Sequence, residues 1–321
     1  MNKKKNVLVL GGAGLIGSYL VEKLAKKKYK VLVVDDFSKG HLKYLKNIKK
    51  KIKIIKIDLE TSQKLSVIFK DYPNIFHLAS RAYGVGYSKG NHKKIFNHNK
   101  RITNNIIKQI NSNVKYFQCV SSSCVYRDTG PSKISEKFKL NGYPEKANLG
   151  YGLAKRYLEK KMLLVSKKFK FDLSIIRPFN IYGERYNWQG KYSQAIPMLV
   201  NKVIKSKKEI EIWGSGKQQR NYLHASDCAE IMIKIFDKKY TKTPINIGYE
   251  DTIKIKDLVL KIGKLVKKKL IFKFDTSKPE GRFIKSSNSH LLKKITDNFK
   301  PRIKLNDGLK LMIKWHKQNF K

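Results

Sequence analysis

The sequence predicts an α/β protein built on a doubly wound parallel sheet, with a smaller C-terminal lobe. Three observations carry this reading. Short apolar runs alternate with amphipathic stretches through the first half of the chain, a glycine cluster follows the first run directly, and the alternation loosens after about residue 180.

Residues 7–10, 31–34, 52–57, 74–78, 116–120 and 173–176 are brief apolar runs, the pattern of strands covered on both faces. Between them, 18–28 and 93–110 repeat apolar positions at helical spacing. Helices that cross between parallel strands do so with a right-handed turn, which gives the doubly wound form. Later, Trp213-Gly214-Ser215-Gly216 marks a turn, 196–204 and 226–236 read as helices, and 243–247 reads as one more strand returning to the main sheet.

At 321 residues and 41% hydrophobic content the chain can bury a full core. No apolar run reaches the length of a membrane span, and residues 7–10 are too short for a signal-peptide core, so a cytoplasmic protein is expected. Cys119, Cys124 and Cys228 are an odd set with no CxxC spacing, which argues against a disulfide framework and a zinc site; no metal is expected. The net charge of +47 invites a nucleic-acid reading, yet only 9 of the 71 basic residues are arginines and the lysines are spread throughout. Base and phosphate recognition leans on arginine forks, so no nucleic-acid partner is expected. The positive field favours a substrate that carries phosphate.

Gly11-Gly12-Ala13-Gly14-Leu15-Ile16-Gly17 sits between the first strand and the first helix. In that setting glycines allow a tight turn and bring a pyrophosphate to the helix N-terminus, which makes Gly11, Gly14, Leu15, Ile16 and Gly17 candidate cofactor contacts in a Rossmann-type domain. Asp35 ends the second strand, where a carboxylate accepts bonds from ribose hydroxyls and repels a 2′-phosphate; NAD is favoured over NADP, with Lys39 nearby as a softening charge. Asp58 and Leu59 follow the third strand, placed either to meet adenine or, for Asp58, to cap a helix. The expected division is an NAD-binding Rossmann domain over 1–178, rejoined by about 240–260, and a substrate-binding lobe over 179–321.

Tyr151 and Lys155 lie four residues apart, on one helix face. The ammonium, with a positive nicotinamide, is expected to lower the phenol and make Tyr151 a base for a carbinol proton. Ser121-Ser122-Ser123-Cys124 closes a strand at its carboxyl end, where ligands bind in such sheets; one of the serines can bridge Tyr151 and the substrate oxygen.

With GGAGLIG, VVDD, DLE, HLAS, SSSCVY, YGLAK, RPFNIYG, WGSGKQQRNYLH, NIG and PEGR in this order, the chain resembles the extended short-chain dehydrogenases/reductases of the nucleotide-sugar epimerase/dehydratase family nearly end to end. The resemblance implies Ser122, two residues before Cys124, as the triad serine. It implies that Ala79-Ser80 and Asn99 line the cofactor, that Ser123 and Asn180 meet the substrate, and that Arg220 clamps a diphosphate, with Arg282 or Lys285 as second candidates. It also implies a homodimer through the helices around 93–110 and 151–166, and a UDP- or GDP-linked sugar as substrate.

Family dehydratases carry an Asp-Glu pair where this chain has Ser123 and Cys124, which argues against dehydration and, for the Glu, against uronate decarboxylation. GDP-mannose 3,5-epimerases and GDP-fucose synthases carry a cysteine at the Cys124 position, paired with Lys or His on the next lobe; they also share a glycine-rich loop like Tyr83-Gly84-Val85-Gly86-Tyr87. The partner position here holds Gln194, whose amide is no proton donor, so Cys124 is either a lone exchanging thiol or a small apolar wall. What remains is an NAD-dependent 4-epimerase acting through a transient 4-keto sugar. The alternatives are a 4-dehydrogenase or 4-ketoreductase with net redox change, then a 3,5-epimerase or a non-catalytic NAD sensor.

Overall fold

The computed structural model describes residues 5–186, 188, 195–278 and 281–320. Its central sheet has seven strands: β1 (Asn6–Leu10), β2 (Lys30–Asp35), β3 (Lys53–Lys56), β4 (Asn74–His77), β5 (Tyr116–Val120), β6 (Asp172–Pro178) and β7 (Ile245–Ile247). All neighbours are parallel, in the order β7-β6-β5-β4-β1-β2-β3. The chain winds outward from β1 to β3, then crosses back to lay β4 on the other side of β1. That reversal opens a crevice beyond the carboxyl ends of β1 and β4, where open α/β sheets bind ligands.

Strict side-chain alternation in β1 explains why its four apolar residues are all fully buried. Val7 and Val9 pack beneath the helices Leu15–Lys26 and Ala225–Asp237, while Leu8 and Leu10 face the helices His92–Gln109 and Leu149–Phe169. Each such side chain contributes about 1.5–3 kcal/mol of burial. The edge strand β3, Lys-Ile-Ile-Lys, exposes both lysines, which discourages pairing with a further strand.

A third core gathers the helices Ala195–Lys205, Ile255–Leu265 and Leu305–Asn319 with the parallel pair Glu209–Trp213 and Ile271–Asp275. A small four-stranded sheet, Ile253–Lys254, Gln219–Arg220, Ile284–Ser287 and Lys133–Ile134, ties this region to the first half of the chain. In it Arg220 pairs with Lys285, so the two side chains leave the same face. Among the described residues, no helix is long and apolar enough to cross a membrane.

Candidate active site

A cavity of about 800 Å³ follows the crevice from the glycine turn to the second lobe. At its first end Gly11 has φ +81°, and a Cβ there would stand 2.6 Å from the Ala79 backbone nitrogen. Only glycine brings the turn this close to the end of β4. Gly14 caps the helix Leu15–Lys26 with no side-chain acceptor and no acidic residue in the first turn, so the N-terminal dipole faces the cavity uncompensated. This end fits a pyrophosphate.

Asp35 is buried and lines the same wall. Its two oxygens accept from the backbone nitrogens of Ala13 and Phe37, each at 2.9 Å. Burial nevertheless raises its carboxyl above the ordinary range, outweighing those two bonds. A carboxylate oxygen has two lone pairs, so one on each remains for ribose hydroxyls. Asp36 binds Arg81 at 2.8 Å, and Lys39 sits 3.8 Å from the Tyr83 ring centroid, pushed down to about 7 by burial. Asp58 lines the cavity and also accepts from the Glu60 nitrogen at 2.8 Å, so it both borders the site and caps its own turn. Leu15, Ile16, Gly17, Leu59 and Ala79 are lining residues too. Asn99 is not. Its amide accepts from the Arg81 nitrogen at 2.9 Å and donates to the Arg81 and Ile95 carbonyls, which holds the Ala79–Arg81 loop from behind. These bonds make Asn99 a clamp on that loop.

The helix Leu149–Phe169 brings Tyr151 to the cavity wall and places Lys155 one turn further along, behind it. Glycines flank the tyrosine for a packing reason: a Cβ on Gly152 would lie 2.5 Å from the Cys124 carbonyl oxygen, and one on Gly150 would strike the His92 carbonyl. Lys155 is buried, donates to the Val120 carbonyl at 2.8 Å, and lies 5.4 Å from the Tyr151 ring centroid. Burial pushes its ammonium down to about 8, although Cys119 and Glu159 act the other way.

The expected lowering of Tyr151 is reversed in the protein alone. Burial drives its phenol above the usual value, a Ser80 hydrogen bond opposes this, and Cys124 adds to it. Desolvation of a buried phenolate outweighs a lysine already committed to a carbonyl. Ser80 as the Tyr151 partner escaped the sequence reading, since nothing local links β4 to that helix. Ser122, in contrast, caps the short turn Ser123–Val125 by accepting from the Cys124 nitrogen at 3.1 Å, and lines the cavity beside Ser123 and Cys124.

Toward the second lobe Asn180 adopts φ +39° and donates to Asn221 at 3.1 Å, a left-handed residue held at the cavity wall. Arg220 lines the wall and is anchored by the Gln219 and Phe283 carbonyls. Arg282 does not line the cavity. Its guanidinium donates to the carbonyls of Ile284, Arg127 and Pro131. Lys285 does line the cavity, paired with Glu145 at 2.6 Å and 3.7 Å from Cys124 Sγ. Gln194 lies outside the described residues. Met198, Leu199, Trp213 and Tyr222 form an apolar far end. Among the described residues no group of three or more His, Cys, Asp or Glu is disposed to hold a metal.

The pattern of the NAD dependent epimerase/dehydratase family matches residues 7–248. This chain belongs to that family. It is an NAD-dependent enzyme of the epimerase/dehydratase family with a Rossmann-like fold. It is similar to the UDP-N-acetyl-alpha-D-glucosaminuronate decarboxylase of Bacillus cytotoxicus, 29% identical over 98% of both chains. It is also similar to the GDP-mannose 3,5-epimerase of Arabidopsis thaliana, 24% identical over 98% of this chain and 82% of that one. Among solved structures, the UDP-N-acetylglucosamine 4-epimerase of Methanobrevibacter ruminantium M1, in complex with UDP-N-acetylmuramic acid, superposes with a TM-score of 0.85 at 25% identity, covering 98% of this chain and 99% of that one. Epimerase/dehydratase relatives thus differ in chemistry while keeping one architecture.

Proposed function

We propose that the protein is a nucleotide-sugar 4-epimerase that oxidises and re-reduces one carbinol carbon of a UDP- or GDP-linked hexose. One observation carries this reading: a single cavity runs from the glycine turn past Ser122 and Tyr151, with Lys155 behind the phenol, to Asn180 and Arg220. Cofactor, reacting hydroxyl and diphosphate can therefore lie end to end in it.

Gly11, Gly14, Leu15, Ile16, Gly17, Asp35, Asp58, Leu59 and Ala79 would hold NAD, with Asn99 steadying the loop behind Ala79. Bound there, NAD would supply the hydride acceptor at C4 and a positive ring that favours the Tyr151 phenolate. Tyr151 takes the C4 hydroxyl proton as the carbonyl forms. Ser122 orients that oxygen, and Lys155, fixed by the Val120 carbonyl, keeps a cation beneath the phenol. Arg220 and Asn180 hold the diphosphate and sugar, and Ser123 borders the sugar. The identity of Cys124 in place of a second carboxyl supports epimerisation over dehydration. We further propose a cytoplasmic homodimer formed on the helices His92–Gln109 and Leu149–Phe169, since Leu163 and Leu164 leave apolar surface exposed there.

Pure protein incubated in turn with UDP-glucose, UDP-N-acetylglucosamine and GDP-mannose tests this, with product followed by NMR and NADH by absorbance. An inverted C4 centre with no net change in cofactor is expected. Release of a ketone with accumulation of NADH would replace the epimerase by a 4-dehydrogenase.

A further inference from the structure

The cavity wall between Ser122 and Arg220 carries a buried ion pair drawn from two distant parts of the chain. Lys285 Nζ stands 2.6 Å from Glu145 Oε2 and 3.7 Å from Cys124 Sγ, and the thiol also bonds Glu145. Glu145, Lys285, Arg220 and Gly281 all line the cavity that holds Tyr151. Gly281 has φ +67°, and a Cβ there would lie 3.6 Å from Arg220 Nη2 and 4.0 Å from Glu145 Oε1. Its bare backbone therefore borders both the arginine and the carboxylate. Burial acts to raise the Glu145 carboxyl, yet the Lys285 ammonium holds it below the ordinary range, so Glu145 is charged.

We propose that Glu145 is a specificity-determining residue that admits an uncharged hexose to this wall and rejects a uronate. The proposal rests on the 4-epimerase reading, which places O4 at Ser122 and Tyr151 and the C1 diphosphate at Arg220. C1 and C4 are opposite corners of a pyranose, so the ring spans the stretch that Glu145 and Lys285 line. A hydroxyl suits such a pair, since it donates to the carboxylate and accepts from the ammonium. A sugar carboxylate does not. It would have to share the Lys285 ammonium with Glu145, leaving two anions out of water on one counter-ion.

The surrounding charges point the same way. Among the described residues, Glu145 and Asp128 act against Lys285, Arg220 and Arg282, which leaves one positive charge in excess. A sugar-linked diphosphate carries a negative charge on each phosphate and reverses that sign. The wall is therefore net negative by the time the sugar is seated. A second carboxylate about 5 Å from Glu145, at an effective dielectric of about 20, is repelled enough to weaken binding by about 10²-fold. Sharing Lys285 offsets part of this, which leaves a preference for the neutral sugar of about tenfold to a hundredfold.

Matched sugar nucleotides test this: UDP-glucose against UDP-glucuronate, and GDP-mannose against GDP-mannuronate. C4 inversion is followed by NMR, and binding to the NAD-loaded protein by titration calorimetry. In whichever pair is accepted, kcat/KM for the neutral member should exceed that for the uronate by about tenfold to a hundredfold. UDP-glucuronamide, uncharged but as large as the uronate, should bind within a few-fold of UDP-glucose. Binding as weak as that of the uronate would show a steric limit and overturn the proposal. Glu145→Gln keeps the shape and leaves Lys285 to the sugar, so the preference should narrow by about tenfold to a hundredfold through a lower KM for the uronate. Glu145→Asp keeps the charge and should keep the preference. A wild-type protein that takes the uronate as well as the neutral sugar, or a preference unchanged in Glu145→Gln, overturns the proposal and leaves the 4-epimerase standing. No C4 inversion with any of these sugars overturns the reading beneath it, and calorimetry with the same pairs then judges the wall by itself.

Discussion

Replacing Asp35 by Asn removes a charge and one acceptor without changing shape, and two opposing effects set the outcome. The carboxylate holds the Ala13 nitrogen of the glycine turn and the Phe37 nitrogen after β2, both at 2.9 Å. An amide can keep one of these bonds and turns an NH2 toward the other nitrogen, leaving a buried donor unpaired at about 1–3 kcal/mol. Against that, burial raises the Asp35 carboxyl, so the neutral amide recovers part of the desolvation cost. The net loss of folding stability is therefore small, about 1 kcal/mol, which for a chain of this length lowers Tm by about 2–4 °C. The cofactor has no such compensation. It loses an acceptor for the ribose hydroxyls and meets a loosened turn, so NAD should bind on the order of tenfold to a hundredfold more weakly, while the charge that repels a 2′-phosphate is gone. Calorimetric titration with NAD and with NADP, beside thermal unfolding of the free protein, reads both effects. A Tm loss above about 10 °C with unchanged NAD affinity would show Asp35 to be a structural brace and refute its place at the ribose.

Three further outcomes follow from the geometry. Tyr151→Phe should lower turnover by about 10²–10⁴ while NAD affinity stays within a few-fold; substantial residual activity would move the base elsewhere. Arg177 forms a buried two-pronged pair with Glu159, which also accepts from Ser121. Arg177→Met strands that carboxylate and should cost about 3–5 kcal/mol in urea unfolding, whereas an effect below about 1 kcal/mol would refute the pair as a structural brace. His77 is buried, its Nδ1 meets no acceptor or donor among the described residues, and burial followed by Lys155 pushes it down to about 3. Its folded value lies below its unfolded value, so this stability is complete above about pH 6.5 and declines as pH falls toward about 3, by up to about 1.4 kcal/mol per unit. His77→Asn should flatten the fall of stability between pH 6 and 4, measured by urea midpoints at about unit steps.

The sheet was legible because its signal is local. The runs at 7–10, 31–34, 74–78, 116–120 and 173–176 are apolar for their whole length since both faces are covered, and β1, β2, β4, β5 and β6 coincide with them; even the late strand near 243–247 joins the sheet as β7. The glycine turn was legible for the same reason: Gly11 owes its conformation to a contact that every such turn must make. What could not be read arises where distant segments meet. Asn99 and Arg282 have the right chemistry for ligands, yet each is consumed by backbone groups that no spacing reveals. The Ser80–Tyr151 bond and the Glu145–Lys285 pair join residues 71 and 140 positions apart. The raised phenol of the protein alone was out of reach for another reason: a motif states which charges are close in sequence, whereas desolvation depends on the whole wall around them.

The two-residue ladder between Gln219–Arg220 and Ile284–Ser287 has a consequence for how this enzyme could diverge. Pairing period is two, so a slip of one residue would turn Lys285 out and present Ile284 or Ser286 beside Arg220. A single insertion or deletion inside this short strand would thus replace an ammonium by a methyl-bearing or hydroxyl side chain, leaving the Rossmann core untouched. The ladder acts as a selector that can exchange the charge lining the cavity in one genetic step, a route by which one architecture reaches several chemistries.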